Sequence, residues 1–188
     1  MSKRMLLHIC CAPCSTHVVE VLKSDHEITG YFYNPNIHPE SEYLLREKEM
    51  KRYADEIGLD LVCAEYDPER WFELTKGMDN LPEGSKRCSI CFEMRLDKTA
   101  RYAKERGYDL IATTLSVSPH KNAEKINEIG TKVAELCESK FYEADFKKKG
   151  GFEKSLQMSK QFGLYRQSYC GCIFSKKEAD KRASPKKK

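Results

Sequence analysis

The sequence predicts an α/β fold: a mostly parallel sheet with helices on both faces. Short apolar runs of strand length alternate with longer stretches whose apolar residues recur every three to four positions. Glycines stand where two of those longer stretches end, the usual place for a helix to stop. Parallel strands need crossover connections, so this alternation favours a parallel sheet covered on both sides. At 188 residues the chain suits one ordinary domain, expected over residues 1–175 and followed by a basic tail over 176–188.

The elements follow in order. Met5–Ile9 is a compact apolar run fit for a buried strand. After Pro13, Ser15 or Thr16 would cap a helix carrying Val18, Val19 and Leu22 on one side. Ile28–Tyr33 is an aromatic-rich second strand. Tyr43, Met50, Tyr53 and Ile57 mark a long helix stopped by Gly58. Leu59–Cys63 is a third strand, and Pro68–Leu74 a short helix holding Trp71. From Cys88 a helix turns Phe92, Leu96, Thr99 and Ala103 inward and ends at Gly107. Asp109–Thr114 is the fourth strand, and Ile126, Ile129, Val133 and Leu136 mark an amphipathic helix. Lys140–Ala144 is a fifth strand candidate.

In parallel α/β sheets ligands gather beyond the carboxyl ends of the strands. The first strand runs into Cys10, Cys11 and Cys14, and the fourth into Leu115–Lys121, so both loops belong on that rim. The chain has nine cysteines, an odd number, and its first residues hold too short an apolar stretch for a signal peptide. No run approaches the roughly 18 apolar residues of a membrane span. The expectation is a cytoplasmic protein without a membrane partner, where clustered cysteines point to metal or redox chemistry. Net charge is only +4, yet lysines gather at 147–149 and near the carboxyl end. A basic end fits a polyanion such as RNA, and equally a solvated tail.

Cys88-x-x-Cys91 at a helix start lets two thiolates converge where the helix dipole favours negative charge. Cys10-Cys11-x-x-Cys14 supplies a second nest on the same rim. Neighbouring cysteines in a strand point to opposite faces, so both serve one centre only where the strand breaks, near Pro13. Four thiolates suit zinc or an iron–sulfur cluster. The surplus thiols, Cys14 and the close pair Cys170-Gly171-Cys172, favour redox work over a structural staple. Cys63 and Cys137 read as core cysteines, and His8 as a hydrogen-bonded core residue.

His8-x-Cys10-Cys11-Ala12-Pro13-Cys14, Tyr33–Pro39, Glu42-Tyr43-x-x-Arg46, Arg87-Cys88-x-x-Cys91-Phe92-x-x-Arg95-Leu96, Thr113–Lys121 and Tyr165-Arg166-Gln167-x-Tyr169-Cys170-Gly171-Cys172 together resemble the cobalamin-independent epoxyqueuosine reductases. The resemblance covers about residues 5 to 175. It implies a nucleotide α-hydrolase-like fold and an oxidoreductase that removes the epoxide oxygen of epoxyqueuosine at the wobble position of tRNA. It further implies a [4Fe-4S] cluster on Cys10, Cys11, Cys88 and Cys91, and a redox-active disulfide between Cys170 and Cys172. An additional iron beside the cluster would take Cys14 as one ligand, and the electron donor is unknown. His38 or His120 would donate a proton to the leaving oxygen or contact phosphate. Tyr31, Phe32 and Tyr33 offer either a base-stacking face or core. Arg46, Arg87, Arg95, Lys121 and Arg166 adjoin the motif loops and would meet phosphates, or pair with Glu42, Glu83 or Glu93.

Two other functions compete. A cluster-dependent tRNA thiolase of the same fold needs a glycine- and serine-rich phosphate loop after the first strand, where Cys10–Ser15 has no glycine. A zinc-stabilised RNA-binding module explains Cys88-x-x-Cys91 and the lysines but leaves the surplus thiols without a purpose.

Overall fold

The computed structural model describes residues 2–184. Four parallel strands form its sheet: β1 (Lys3–His8), β2 (His26–Phe32), β3 (Asp60–Cys63) and β4 (Leu110–Thr113), in the order β3-β2-β1-β4. Leu6 pairs with Thr29 on one side and Ile111 on the other. The period of two along each strand sorts the core into two layers. Met5, Leu7, Phe32, Leu110 and Ala112 face one layer, which α1 (Ala12–Leu22) and α2 (Glu40–Ile57) cover. Leu6, Tyr31 and Ile111 face the other, which α4 (Lys86–Arg106) and α5 (Ala123–Leu136) cover. Burial on both faces explains why these strands read as continuous apolar runs.

Three shorter helices complete the chain. The α3 helix (Pro68–Leu74) buries Trp71, α6 (Gly151–Gln161) lies against α1, and α7 (Ile173–Ala183) ends the described segment. Gly58 and Gly107 close α2 and α4 in the left-handed conformation. Among the described residues no helix is long and apolar enough to cross a membrane.

The structure departs from the sequence reading at several elements. The first helix begins at Ala12, with Cys11 at its N-cap; Ser15 and Thr16 lie inside it and donate their hydroxyls to the carbonyls of Ala12 and Pro13. The helix expected from Cys88 starts at Lys86, after Ser85. The fifth strand reduces to a single bridge between Phe141 and Ile111. Leu136 continues the apolar spacing of α5 but, as its last residue, is 75 % exposed. Tyr31, Phe32 and Tyr33 are buried, so the stacking role is replaced by the core one. The segment from 176 is helical as far as Ala183, and residues 185–188 lie outside the described chain.

Candidate active site

The β1 strand stops at His8, and α1 begins four residues later. That break turns both Cys10 and Cys11 toward one point, and Cys14 follows on the first turn of the helix. The sulfurs of Cys10, Cys11 and Cys14 lie within 4.8 Å of one another, the only such group of three potential metal ligands among the described residues. Cys10 Sγ and Cys11 Sγ are 4.0 Å apart. Thr114, just beyond β4, accepts from the Cys10 backbone N–H (3.1 Å) and donates its hydroxyl to Cys10 Sγ (3.3 Å). The β1 and β4 ends, neighbours in the sheet, therefore meet at this sulfur on the rim.

Charge is unevenly shared in this trio. Hydrogen bonds from Cys11 and Cys14, aided by the Lys121 charge and the Thr114 hydroxyl, hold the Cys10 thiol well below the usual range against the cost of burial. The Cys10 sulfur in turn pushes Cys11 up to about 12 and raises Cys14. Gln167 donates Nε2–H to Cys11 Sγ at 3.2 Å. Burial works against the Lys121 charge, but Cys170, Cys10 and Cys14 outweigh it and raise its pKa.

Cys88 and Cys91 stand in the first turns of α4 and do not join the trio. The Gly84 N–H donates to Cys88 Sγ at 3.2 Å. Cys91 packs with Trp71, Met94 and Cys172, and its burial pushes the thiol up to about 11. Burial raises Cys88 as well.

The third segment is Cys170-Gly171-Cys172. Arg46, buried on α2, donates Nη1–H to the Cys170 carbonyl (3.0 Å) and Nη2–H to the Tyr169 carbonyl (3.2 Å). Its Nε–H goes to Glu42 at 2.8 Å. The His38 N–H donates to the Gly171 carbonyl (2.8 Å), and the Tyr169 hydroxyl to the His38 carbonyl (2.6 Å). Gly171 has φ +144°, and a Cβ there would crowd Ile37, Arg46 and Asn36 at 3.1–3.2 Å, so the loop needs glycine. Cys172 then caps α7, its sulfur accepting from the Ser175 N–H at 3.4 Å.

These segments surround two adjoining spaces. The larger, about 530 Å³, is walled by Cys10, Cys14 and Cys170 together with Lys121, Arg166 and Gln167. The smaller, about 60 Å³, is walled by Cys88, Cys91, Cys170, Cys172 and Trp71. Arg95, His120, Lys121 and Cys170 border both. The two expected histidines part company here. His120 is exposed on the rim of both spaces. His38 borders neither; its ring lies 5.0 Å from Trp71 and 4.6 Å from Phe72, both ring nitrogens lack partners, and burial lowers its pKa to about 4. His8 bonds Thr113 and the Tyr33 carbonyl within the core, and burial holds it neutral.

Arg46, Arg87 and Arg95 are each 2 % exposed, so they are internal ties rather than phosphate contacts. Arg166 is exposed and Lys121 half-buried at the larger space. Sequence reasoning missed the Arg46 clamp on the Cys170 loop and the wall formed by α7. A signal for Arg95 was present: it follows Cys91 by four residues and shares its helix face.

A family model described as "Epoxyqueuosine reductase QueH" matches residues 5–178. A QueH epoxyqueuosine reductase of Staphylococcus epidermidis is 42% identical over 180 residues, 92% of this chain and 76% of that protein. One from Haemophilus influenzae is 42% identical over 95% of this chain and 74% of its own. Among solved structures, the U34-tRNA thiolase NcsA from Methanococcus maripaludis, with its [4Fe-4S] cluster, superposes with a TM-score of 0.56 at 12% identity, over 95% of this chain and 65% of that one. That likeness is one of fold.

Proposed function

The chain belongs to the QueH family of epoxyqueuosine reductases, oxidoreductases of tRNA modification, and we propose that Cys10, Cys11, Cys88 and Cys91 hold a [4Fe-4S] cluster for that reaction. Cys14 would hold an additional iron, and Cys170 with Cys172 would work as a dithiol–disulfide couple. The observation that carries this reading is the convergence of three cysteine segments on two spaces joined at Cys170.

The donor set fits the cluster. Zinc holds thiolates at about 2.3 Å, so four ligands of one ion lie within about 4.6 Å of each other. Among the described residues only Cys10, Cys11 and Cys14 gather as a group, within 4.8 Å of one another, and the separate seat of Cys88 and Cys91 suits a larger polynuclear centre. When bound, such a cluster supplies electrons singly, and an iron with an open position supplies a Lewis acid.

The overall step breaks both C–O bonds of the epoxide, forms the C=C bond, and releases the oxygen as water, consuming two electrons and two protons. Oxidation of the Cys170 and Cys172 thiols to a disulfide yields that same count, and an external reductant then restores the dithiol. The Arg46 clamp and the His38 N–H hold the Cys170 carbonyl side of the loop still while this bond forms and opens. His120, on the rim, is the proton donor to the departing oxygen. Lys121 faces the same space and favours negative charge on that oxygen.

A space of about 530 Å³ takes one nucleotide rather than a helix of RNA. The modified nucleotide would enter unstacked from the anticodon loop, with Arg166 and Arg182 at the mouth for phosphate. The test is anaerobic incubation of the iron-loaded protein with epoxyqueuosine-containing tRNA and a reductant, followed by mass analysis of the nucleosides. Queuosine, lighter by one oxygen, is the expected product. Unchanged epoxyqueuosine with fully loaded protein would reject the assignment.

A further inference from the structure

Arg95 lies on α4 one turn beyond Cys91, 2 % exposed. Two of its nitrogens are tied down: Nε–H donates to the Cys91 carbonyl at 3.0 Å, and Nη1–H to Asn34 Oδ1 at 3.4 Å. Asn34 is itself fixed, donating Nδ2–H to the Ile9 carbonyl at 2.9 Å. The guanidinium is thus anchored to α4, to the loop after β2 and, through it, to the end of β1. Its third nitrogen, Nη2, is buried and has no partner. Arg95 takes part in no ion pair with a carboxylate among the described residues.

A buried permanent cation without a counter-charge is costly, and an unmade donor adds to the cost. What surrounds Arg95 is sulfur. It borders both spaces, between the Cys10 trio on one side and Cys88, Cys91 and Cys170 on the other. Burial opposes its charge, while Cys91, Cys170, Cys10 and Cys88 restore it. A rigid fork with one free donor between two thiol nests is placed for an anionic sulfur centre.

We propose that Arg95 is a positioning residue that donates its free Nη2–H to the sulfur of the thiolate-held cluster and raises that cluster's reduction potential. The inference rests on the cluster assignment above. A [4Fe-4S]²⁺ core with four thiolates carries two net negative charges, and reduction adds a third. A fixed cation and a hydrogen bond to sulfur both favour the more negative state, so removing them makes reduction harder.

The experiment is an anaerobic redox titration of the reconstituted protein followed by electron paramagnetic resonance, with iron and sulfide counted in each sample. Wild-type protein that takes up no cluster would defeat the assignment itself, separately from the role of Arg95. With Arg95→Met loaded to the wild-type iron and sulfide content, the reduction equilibrium should fall at least tenfold, about 59 mV more negative for a one-electron couple. Arg95→Lys, which keeps the charge and loses the fork, should fall by less than Arg95→Met and still differ from wild type. An unchanged potential in loaded Arg95→Met overturns the proposal. If Arg95→Met does not load, Arg95→Lys decides: a lowered potential supports the role, and a wild-type potential overturns it.

Discussion

At the end of β1, Cys10, Cys11 and Cys14 face a space of about 530 Å³, whereas Cys88 and Cys91 on α4 face one of about 60 Å³ beside Trp71. The first nest has Lys121, Thr114 and Gln167 around it, and its Cys10 thiol is held well below the usual range by its sulfur neighbours. In the second, Cys91 packs against Trp71 and Met94, and burial pushes both thiols up, with no sulfur neighbour held low as Cys10 is. One residue type thus meets two environments on one rim. A roomy nest can admit substrate; a tight one can hold a ligand sphere.

The largest expected effect comes from the tighter nest. Cys88→Ser should abolish cluster loading and bring nucleotide reduction to background, measured by sulfide content and tRNA turnover. Full activity in that variant would show that the second nest is not part of the reaction centre. Cys170→Ser belongs to the segment joining the two spaces. It should keep the cluster spectrum and lose multiple turnover, which a turnover count per protein reads directly; normal turnover would remove the dithiol from the account.

Arg46→Met acts one step further out. It leaves the half-buried Glu42 with only the Tyr165 hydroxyl and frees the Cys170 loop, at a cost of about 2 kcal/mol in urea unfolding. Iron content should stay at the wild-type level, since Arg46 holds carbonyls and not sulfurs.

Arg166→Gln tests the open side. It should weaken RNA binding evenly across anticodon sequences and reduce the slope of log affinity against log salt by about one. An unchanged slope would move the phosphate path elsewhere.

The smallest effect is a pH dependence of stability. His38 has an unfolded pKa near 6.5 and a folded value of about 4, because burial disfavours its charged form. Between these values the unfolded chain binds a proton that the folded chain refuses. Its contribution is therefore whole above pH 6.5 and declines as pH falls toward about 4. His38→Leu should flatten that part of the urea-midpoint curve.

Much of this was legible in the sequence because strand runs and cysteine spacing are local signals. Met5–Ile9 and Asp109–Thr114 announced the paired strands β1 and β4, and the cysteine nests announced the rim. The α7 helix was not legible, since Lys176, Lys177, Lys181 and Arg182 mask the small residues Ser175, Ala179 and Ala183 that wall the larger space. Arginines mislead for a related reason. Composition places Arg46, Arg87 and Arg95 at the surface, but each finds distant partners: the Cys170 loop, the Met78 carbonyl with the Phe174 ring, and Asn34. Lys140–Ala144 read as a strand candidate, yet Phe141 pairs with β4 only at Ile111.

The central claim is that both nests serve one centre, and counting metal in paired variants tests it most directly. Iron and sulfide should be measured after anaerobic reconstitution in Cys10→Ser and Cys91→Ser. The account predicts that each variant loses the whole cluster complement, since each removes a ligand of the same centre. A Cys91→Ser protein that keeps a full complement of iron and sulfide on the Cys10 side would contradict it.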